Sequence, residues 1–341
     1  MKGLQTILGE LNGRSAAALM RDGRLDDLVF DGEADGAPGP GAILRARCDR
    51  PLKGQGGMIV DLPGHKGFLR GAKGLAEGQT LLVMVTGRAE PGKAVPVTTR
   101  VIFKSRYAII TPDAPGRNVA RGIRDDDARD RLQLLAHEGM VDAPEGFGLI
   151  LRSAAEEAEE ADIAQDIAQM LDLAVAVTSD IEDDGPELLL DAPDAAEVAW
   201  REFPVLPAVG EDFETAGVLD QLEALRRPGF AAGGATSYVE PTRALIAVDV
   251  NTGGDTSPAA ALKANLAVAR ELPRQLRLRG LGGQVVIDVA PMPKKDRKTF
   301  EHALRAAFKT DPIETALVGW TPLGHFELQR KRERVPLTEV L

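Results

Sequence analysis

The sequence predicts a mixed α/β chain of several domains, α+β in its overall arrangement. Three observations carry this. At 341 residues the chain is longer than one ordinary core and allows two or three. Between residues 42 and 111, short apolar runs alternate with Gly and Pro turns, the rhythm of a small antiparallel barrel. Between Ala244 and Met292, two short apolar runs flank a long amphipathic segment, the pattern of a β-α-β unit.

Bulk composition narrows the class. With 44% hydrophobic and 27% charged residues, the chain is expected to be globular and soluble rather than disordered. No apolar run approaches the roughly 18 residues of a membrane span, and MKGLQTILGELNGR meets polar residues too early for a signal peptide, so a cytoplasmic protein without a membrane partner is expected. A single cysteine, Cys48, excludes an internal disulfide framework, and no structural zinc is expected within the chain. The net charge of −11 argues at first against a nucleic-acid partner. Its distribution weakens that argument. Residues 154–199 contain 15 Asp and Glu and no Lys or Arg, so the remainder of the chain is net positive.

Taken in order, residues 1–38 read as a small β element, with Ala16–Met20 and Leu28–Phe30 as strands around a turn at Arg21–Arg24. DGEADGAPGPG (31–41) is a linker of Gly, Pro and Asp without apolar periodicity. Five candidate strands follow at Ile43–Cys48, Gly57–Leu62, Lys66–Arg70, Thr80–Thr86 and Val95–Phe103. Five short strands suit an OB-type barrel, whose face binds single strands by stacking bases on aromatics. Phe68 is the aromatic available for stacking and Lys66 a cation for phosphate; the ordinary readings are a core ring and a solvated charge. Next come the loop TPDAPGRNVARGI, a helix over Asp125–His137, and a short strand Leu149–Leu151 ending in Arg152 and Ser153. An acidic helix from about Glu156 to Ala174 follows. An arginine and a hydroxyl where a strand meets a helix suit a terminal phosphate; a surface arginine beside an N-capping serine is the competing reading.

Residues 175–231 offer a strand at Glu187–Leu190 and a helix over Asp212–Leu225, stopped by Pro228-Gly229. The last stretch is the most informative. Ala244–Val248 is a β run closed by Asp249, and Asn251 shares the face of Asp249 if the strand continues. Thr256-Ser257-Pro258 begins a helix that runs to about Arg279, with Leu262, Leu266, Ala269 and Leu276 on its apolar side and a kink expected at Pro273. Arg270, Arg274 and Arg277 share a face at i, i+4, i+7 spacing. Gln284–Ile287 is the next strand and closes on Asp288. Parallel strands joined by a helical crossover bring both aspartates to one sheet edge. Two carboxylates there suit Mg²⁺, a hard cation that binds through one or two carboxylates plus water and substrate oxygens. Ten Lys and Arg against six Asp and Glu between Lys294 and Arg334 add a mild phosphate-binding footprint. The bland alternative is a pair of strand-end aspartates that cap turns.

At these residues the chain resembles a known family. AVDVNTG, then LKANLAVARELPRQLRLRGLGGQVVIDVAPM, then FELQRKRERVPL, is similar to the catalytic region of the ribonuclease E/G family. That family's pattern begins I-D-V/I-N-S/T-G and continues through R-Q-L-R-L-R and G-G to a second aspartate. GFGLILRSA resembles its 5′-monophosphate sensor, NVARGI its sensor loop, and GGMIVDLPGHKGFLRG the S1 RNA-binding fold, with Ile59 where that fold has its first aromatic. The resemblance implies a layout: 1–38 and 179–231 as two parts of an RNase-H-like domain, 39–111 as an inserted S1-like barrel, 112–178 as a 5′-sensor region, and 232–341 as a DNase-I-like catalytic subdomain. It implies that Asp249 and Asp288 bind catalytic Mg²⁺, with Mn²⁺ as a substitute, and that Asn251 acts beside them. It implies that Arg152 and Ser153, with Val119 on the neighbouring loop, hold a 5′-phosphate. Phe68, Lys66, Arg270, Arg274 and Arg277 are then expected to bind RNA. The implied activity is endonucleolytic cleavage of single-stranded RNA, rRNA precursors and mRNA, leaving 5′-phosphate and 3′-hydroxyl ends.

Departures from the family pattern are specific. Arg243 stands where the family has Glu, WTPLGHF replaces I-S-R-F-G-L, and the cysteines of the family's C-P-x-C are not in the sequence. A homodimer not held by a zinc link is one expected assembly, and the oligomeric state stays open on sequence. Two other functions stay open on sequence: an RNA-binding or ribosome-assembly protein that kept the fold without catalysis, and an enzyme acting on small phosphate esters.

Overall fold

The computed structural model describes all residues except 1–2, 33–35, 53, 55, 183–184, 208–211 and 256. It forms two compact units, Met1–Gly32 with Val205–Leu341, and Glu33–Pro204. The first unit opens with an antiparallel meander of β1 (Leu4–Leu11), β2 (Arg14–Arg21) and β3 (Arg24–Phe30). Asn12-Gly13 and Asp22-Gly23 turn it, all four at positive φ, as a two-residue hairpin loop of this hand requires. The sequence reading finds parts of β2 and β3; β1 is additional.

The second unit contains the barrel. β4 (Ile43–Leu52), β5 (Gly57–Leu62), β6 (His65–Arg70), β7 (Thr80–Val85) and β8 (Val95–Thr98) lie in the order β4-β5-β6-β8-β7, and β7 pairs back to β4 to close it. Leu44, Ala46, Val60, Leu62, Val83 and Val97 fill the interior. The five-stranded OB-like barrel expected from the Gly/Pro spacing is present. Its last strand is shorter than Val95–Phe103, because β9 (Phe103–Lys104) has already left for a second sheet.

That sheet has the order β11-β12-β10-β9, with β10 (Ala108–Thr111), β11 (Gly116–Val119) and β12 (Gly148–Leu151). It packs on α1 (Asp126–Glu138) and α2 (Glu160–Ser179) through Ile110, Leu149, Leu151, Leu132, Ile163 and Ile167. α2 starts later than Glu156, since Ser153–Ala155 forms a 3-10 turn first. β13 (Glu187–Leu190) pairs antiparallel to β4. α3 (Ala195–Glu202), which the sequence reading lacks, begins in a capping box of Asp194 and Glu197.

Back in the first unit come α4 (Val218–Leu225), β14 (Gly229–Ala232), β15 (Ala235–Pro241), β16 (Ile246–Asn251), α5 (Pro258–Leu278), β17 (Gly283–Asp288), α6 (Arg297–Lys309), β18 (Thr315–Trp320) and β19 (Phe326–Arg330). Six strands make one sheet, β14-β15-β16-β17-β19-β18. Only β16 and β17 are parallel within it. The helix expected over Asp212–Leu225 is shortened to α4 by Gly217, whose φ of 70° breaks helical geometry; residues 208–211 lie outside the described ones.

One face of the sheet is core. Val239, Val248, Val250, Val285, Ile287, Phe326 and Leu328 point under α5 and α6, against Val268, Leu272, Leu276, Phe300 and Leu304. Each such side chain contributes about 1.5–3 kcal/mol of burial. The apolar stripe of α5 includes the expected Ala269 and Leu276, while Leu262 and Leu266 sit at its half-buried margin. Thr256, the first expected cap, is outside the described residues; Ser257 caps the helix, accepting from the Ala260 N–H at 3.2 Å. α5 is unbroken through the buried Pro273. Its end is tight: Gly280, at φ 64°, lies against the Val335 carbonyl, where a side chain would collide.

Candidate active site

The other face of the same sheet is open to solvent, and alternation decides what it carries. Val248, Val250 and Ile287 point into the core, so Asp249, Asn251 and Asp288 point out, and all three are exposed. In the parallel register Asp249 and Asp288 are direct partners. Strands about 4.8 Å apart therefore hold the two carboxylates within reach of one cation. The Asn251 amide donates to Asp249 Oδ2 at 2.7 Å, which fixes the rotamer of that carboxylate. Tyr238 on β15 faces Asp249 across the other side and is 40% exposed.

His325 is a residue that sequence reasoning missed. Its Nε2 lies 3.6 Å from Asp288 Oδ1, an ion-pair distance rather than a hydrogen bond. The 321–325 turn holds it there: the Thr321 N–H donates to the His325 carbonyl, and the Thr321 hydroxyl accepts from the His325 N–H. The signal was present in WTPLGHF: a histidine just before a strand that borders the second aspartate's strand.

Among the described residues, neither aspartate forms an ion pair with a lysine or arginine. Nor do three or more His, Cys, Asp or Glu converge anywhere among them as a closed metal cage. Two exposed carboxylates side by side repel one another, and a hydrated hard cation relieves that repulsion using the oxygen donors present. The donor set fits Mg²⁺ bound largely through water. It does not fit a closed site of the zinc type.

What secures the loop behind Asp288 is Asn265, fully buried in α5. Its Nδ2 donates to the Ala290 carbonyl at 2.8 Å and its Oδ1 accepts from the Ala290 N–H at 2.9 Å. A polar residue inside an apolar helical stripe was the available clue.

The three arginines of α5 separate. Arg270 is exposed. Arg274 and Arg277, expected to hold an RNA backbone, are instead bound into the protein. Arg274 donates to the Leu25 carbonyl and to Glu271, both at 2.6 Å. Arg277 is 8% exposed and meets Asp311, Asp26 and Asp27. Helical spacing put the three on one side correctly, but that side faces β3 and its acids along most of its length.

In the second unit the sensor-like residues lie on neighbouring segments. Val119 is the parallel partner of Leu151, next to Arg152, and a methyl group on Gly122 would stand 3.3 Å from Ser153 Oγ. Ser153 is exposed and Val119 buried. The Arg152 guanidinium is engaged elsewhere. It donates to the carbonyls of Ser105, Arg106 and Arg201 and to Glu202 Oε2, the last at 2.6 Å. Lys104 at 2.8 Å and Arg201 at 2.7 Å reach the other oxygen of Glu202. Burial pushes the Glu202 pKa up, but the charges of Lys104 and Arg152 outweigh it and hold the carboxyl at about 2. On the barrel, the half-buried Phe68 lies over Gly57, which has no Cβ to obstruct the ring. Lys66 spans Asp61 and Asp49, so a phosphate there would compete with two carboxylates.

Comparison with known proteins adds the following. The sequence profile described as "Ribonuclease E/G family" matches residues 103–206 and 208–333. The chain is 28% identical to ribonuclease G of Salmonella typhimurium (strain SL1344) over 310 residues, covering 78% of this chain and 62% of that protein. The same figures hold for ribonuclease G of Escherichia coli (strain K12). Ribonuclease E of Escherichia coli (strain K12) is 28% identical over 302 residues, which are 76% of this chain and 28% of that larger protein. The chain thus spans less than two thirds of the length of these relatives.

Proposed function

The chain belongs to the ribonuclease E/G family, and on that footing we propose that it is an endoribonuclease that hydrolyses single-stranded RNA with Mg²⁺ held at Asp249 and Asp288. The observation that carries this reading is the register of β16 and β17, which makes the two exposed carboxylates direct neighbours. When bound, Mg²⁺, or Mn²⁺ in its place, supplies an acidified water and neutralises charge on the phosphodiester. Asn251 keeps Asp249 in its metal-facing rotamer, and Arg270 is the α5 arginine left to meet the RNA backbone. Water attack at phosphorus yields 5′-phosphate and 3′-hydroxyl ends.

On the same reading the barrel within 39–111 is an S1-like RNA-binding module using Phe68 and Lys66. Residues 112–178 form a 5′-sensor region in which Arg152, Ser153 and Val119 take a terminal phosphate. Residues 1–38 and 179–231 are two parts of an RNase-H-like domain, and 232–341 is the DNase-I-like catalytic subdomain. The substrates are rRNA precursors and mRNA in the cytoplasm, and the protein acts as a homodimer. No helix among the described residues is long and apolar enough to cross a membrane.

The test is cleavage of a 5′-monophosphorylated single-stranded oligoribonucleotide in Mg²⁺, followed on a gel. Asp249→Asn and Asp288→Asn should each lower the rate by more than roughly 100-fold, as removal of a metal contribution worth several kcal/mol demands. Cleavage that survives both substitutions refutes the metal assignment.

A further inference from the structure

Three cations converge on one carboxylate in the second unit. Lys104, Arg152 and Arg201 all reach Glu202 within 2.8 Å, and all four side chains are at most about a third exposed. One negative charge therefore faces three positive ones, in a setting where burial already disfavours the Lys104 ammonium. Arg106 adds a fourth cation close by, its guanidinium donating to the Trp200 and Phe203 carbonyls at the end of α3. Such an excess of positive charge suits an anion stronger than a carboxylate. A phosphate monoester carries about −1.5 to −2 at neutral pH and offers three acceptor oxygens.

We propose that Glu202 occupies, from within the chain, the place of a phosphate in the Lys104–Arg152–Arg201 cluster, and so sets how well the protein distinguishes a 5′-monophosphorylated RNA end from a 5′-hydroxyl end. This rests on the reading of Arg152 as a phosphate contact. Arg152 immediately precedes the exposed Ser153, the other group assigned to that phosphate. The Arg152 Nη2 that donates to Glu202 at 2.6 Å must release it before it can donate to an incoming phosphate, while Nη1 stays on the carbonyls of Ser105, Arg106 and Arg201. Glu202 is covalently tethered, so it competes at the high effective concentration of an intramolecular group. It closes α3, and its two methylenes allow the carboxylate to swing out while the helix stays in place. The chain thereby holds its sensor in a closed state that an RNA end has to open. Glu202 is a specificity-determining residue.

The experiment measures binding of a 3′-fluorescein-labelled single-stranded decaribonucleotide by anisotropy, in chelator so that no cleavage occurs. The quantity read is the ratio of Kd for the 5′-hydroxyl RNA to Kd for the 5′-monophosphate RNA. Wild-type protein should give a ratio within about twofold of one, and Glu202→Gln about tenfold higher, since the Arg152 Nη2 that Glu202 holds then gains a charge-assisted bond to phosphate. Glu202→Gln/Arg152→Met should return the ratio to near one. The same ratio in wild type and Glu202→Gln overturns the proposal, as does a wild-type ratio already at tenfold. If both RNAs bind every variant equally, this proposal alone falls; if neither RNA binds any of them, the RNA reading falls with it. Glu202→Asp, which withdraws the carboxylate by one methylene and keeps its charge, serves if the glutamine variant does not fold. A raised ratio in Glu202→Asp supports competition, and an unchanged one assigns Glu202 to structure only.

Discussion

Asn265 shows how much can depend on one side chain remote from the chemistry. It is fully buried in the apolar stripe of α5, and its amide matches both backbone groups of Ala290, two residues past Asp288. Asn265→Leu keeps the forked shape and removes both bonds, stranding a buried N–H and C=O. At about 1–3 kcal/mol per stranded group, a loss of about 2–6 kcal/mol is expected in urea unfolding, with slower RNA cleavage as the end of β17 loosens. A change below about 0.5 kcal/mol, the scatter of neutral substitutions, would show that Ala290 is held by something else. At this scale the sequence was legible where chemistry follows strand period. Asp249, Asn251 and Asp288 come to one face by alternation and a parallel crossover alone. It was not legible where the partner is a backbone group 25 residues away, as for Asn265, or a side chain 50 residues away, as for Arg152 and Glu202.

For whole elements the question is what lies opposite a face, and helical spacing cannot answer it. The arginines of α5 looked like an RNA-facing row; two of them face acids of the same unit. Arg277 meets Asp311 and Asp27, Arg330 meets Asp311 at 2.9 Å, and Arg334 meets Asp27 at 3.1 Å. This network ties α5, β3, β19 and the loop after α6 together. The Asp311 side chain is 1% exposed between two guanidinium groups, so it neutralises charge that could not otherwise stay buried. Asp311→Asn should therefore destabilise the protein by about 3–5 kcal/mol, the cost of breaking a buried pair from one side. Asp311→Asn paired with Arg330→Met should recover part of that loss, because an apolar side chain of similar size leaves one fewer unmatched charge. Chemical unfolding of the two variants checks this, and a double variant less stable than the single one would contradict the charge argument. In sequence, Asp26 and Asp27 lie some 250 positions from Arg277, so no local pattern could join them.

At the scale of the whole molecule, turn chemistry and periodicity recovered the barrel and the β-α-β unit, whose strands pair with near neighbours in sequence. They missed β14, β15, β18 and β19, which turn an isolated β-α-β into a six-stranded sheet; the Pro228-Gly229 pair that stops the expected helix leads straight into the β14–β15 hairpin of that sheet. Net charge misled in a related way. The total of −11 is an average over a strongly acidic segment and basic ones, and of the basic run from Lys294 to Arg334 only part is free to act. Arg330 and Arg334 are consumed by Asp311 and Asp27, and Lys331 pairs with Glu314. Lys294, Lys295, Lys298, Arg305 and Lys309, on and just before α6, remain exposed, and they follow directly after the strand that ends in Asp288. If local patches govern the encounter with RNA, affinity must fall with salt in spite of the negative total. A single strand loses about 0.7 in the slope of log K against log salt for each phosphate neutralised. With three to five contacts, binding to a single-stranded oligoribonucleotide should weaken roughly tenfold to hundredfold between 50 and 200 mM salt. Lys294→Ala/Lys295→Ala/Lys298→Ala should flatten that slope by about 2 while leaving unfolding free energy nearly unchanged, because all three side chains are exposed. A slope near zero in the wild type would mean that the acidic total, rather than the α6 patch, sets the field an RNA meets.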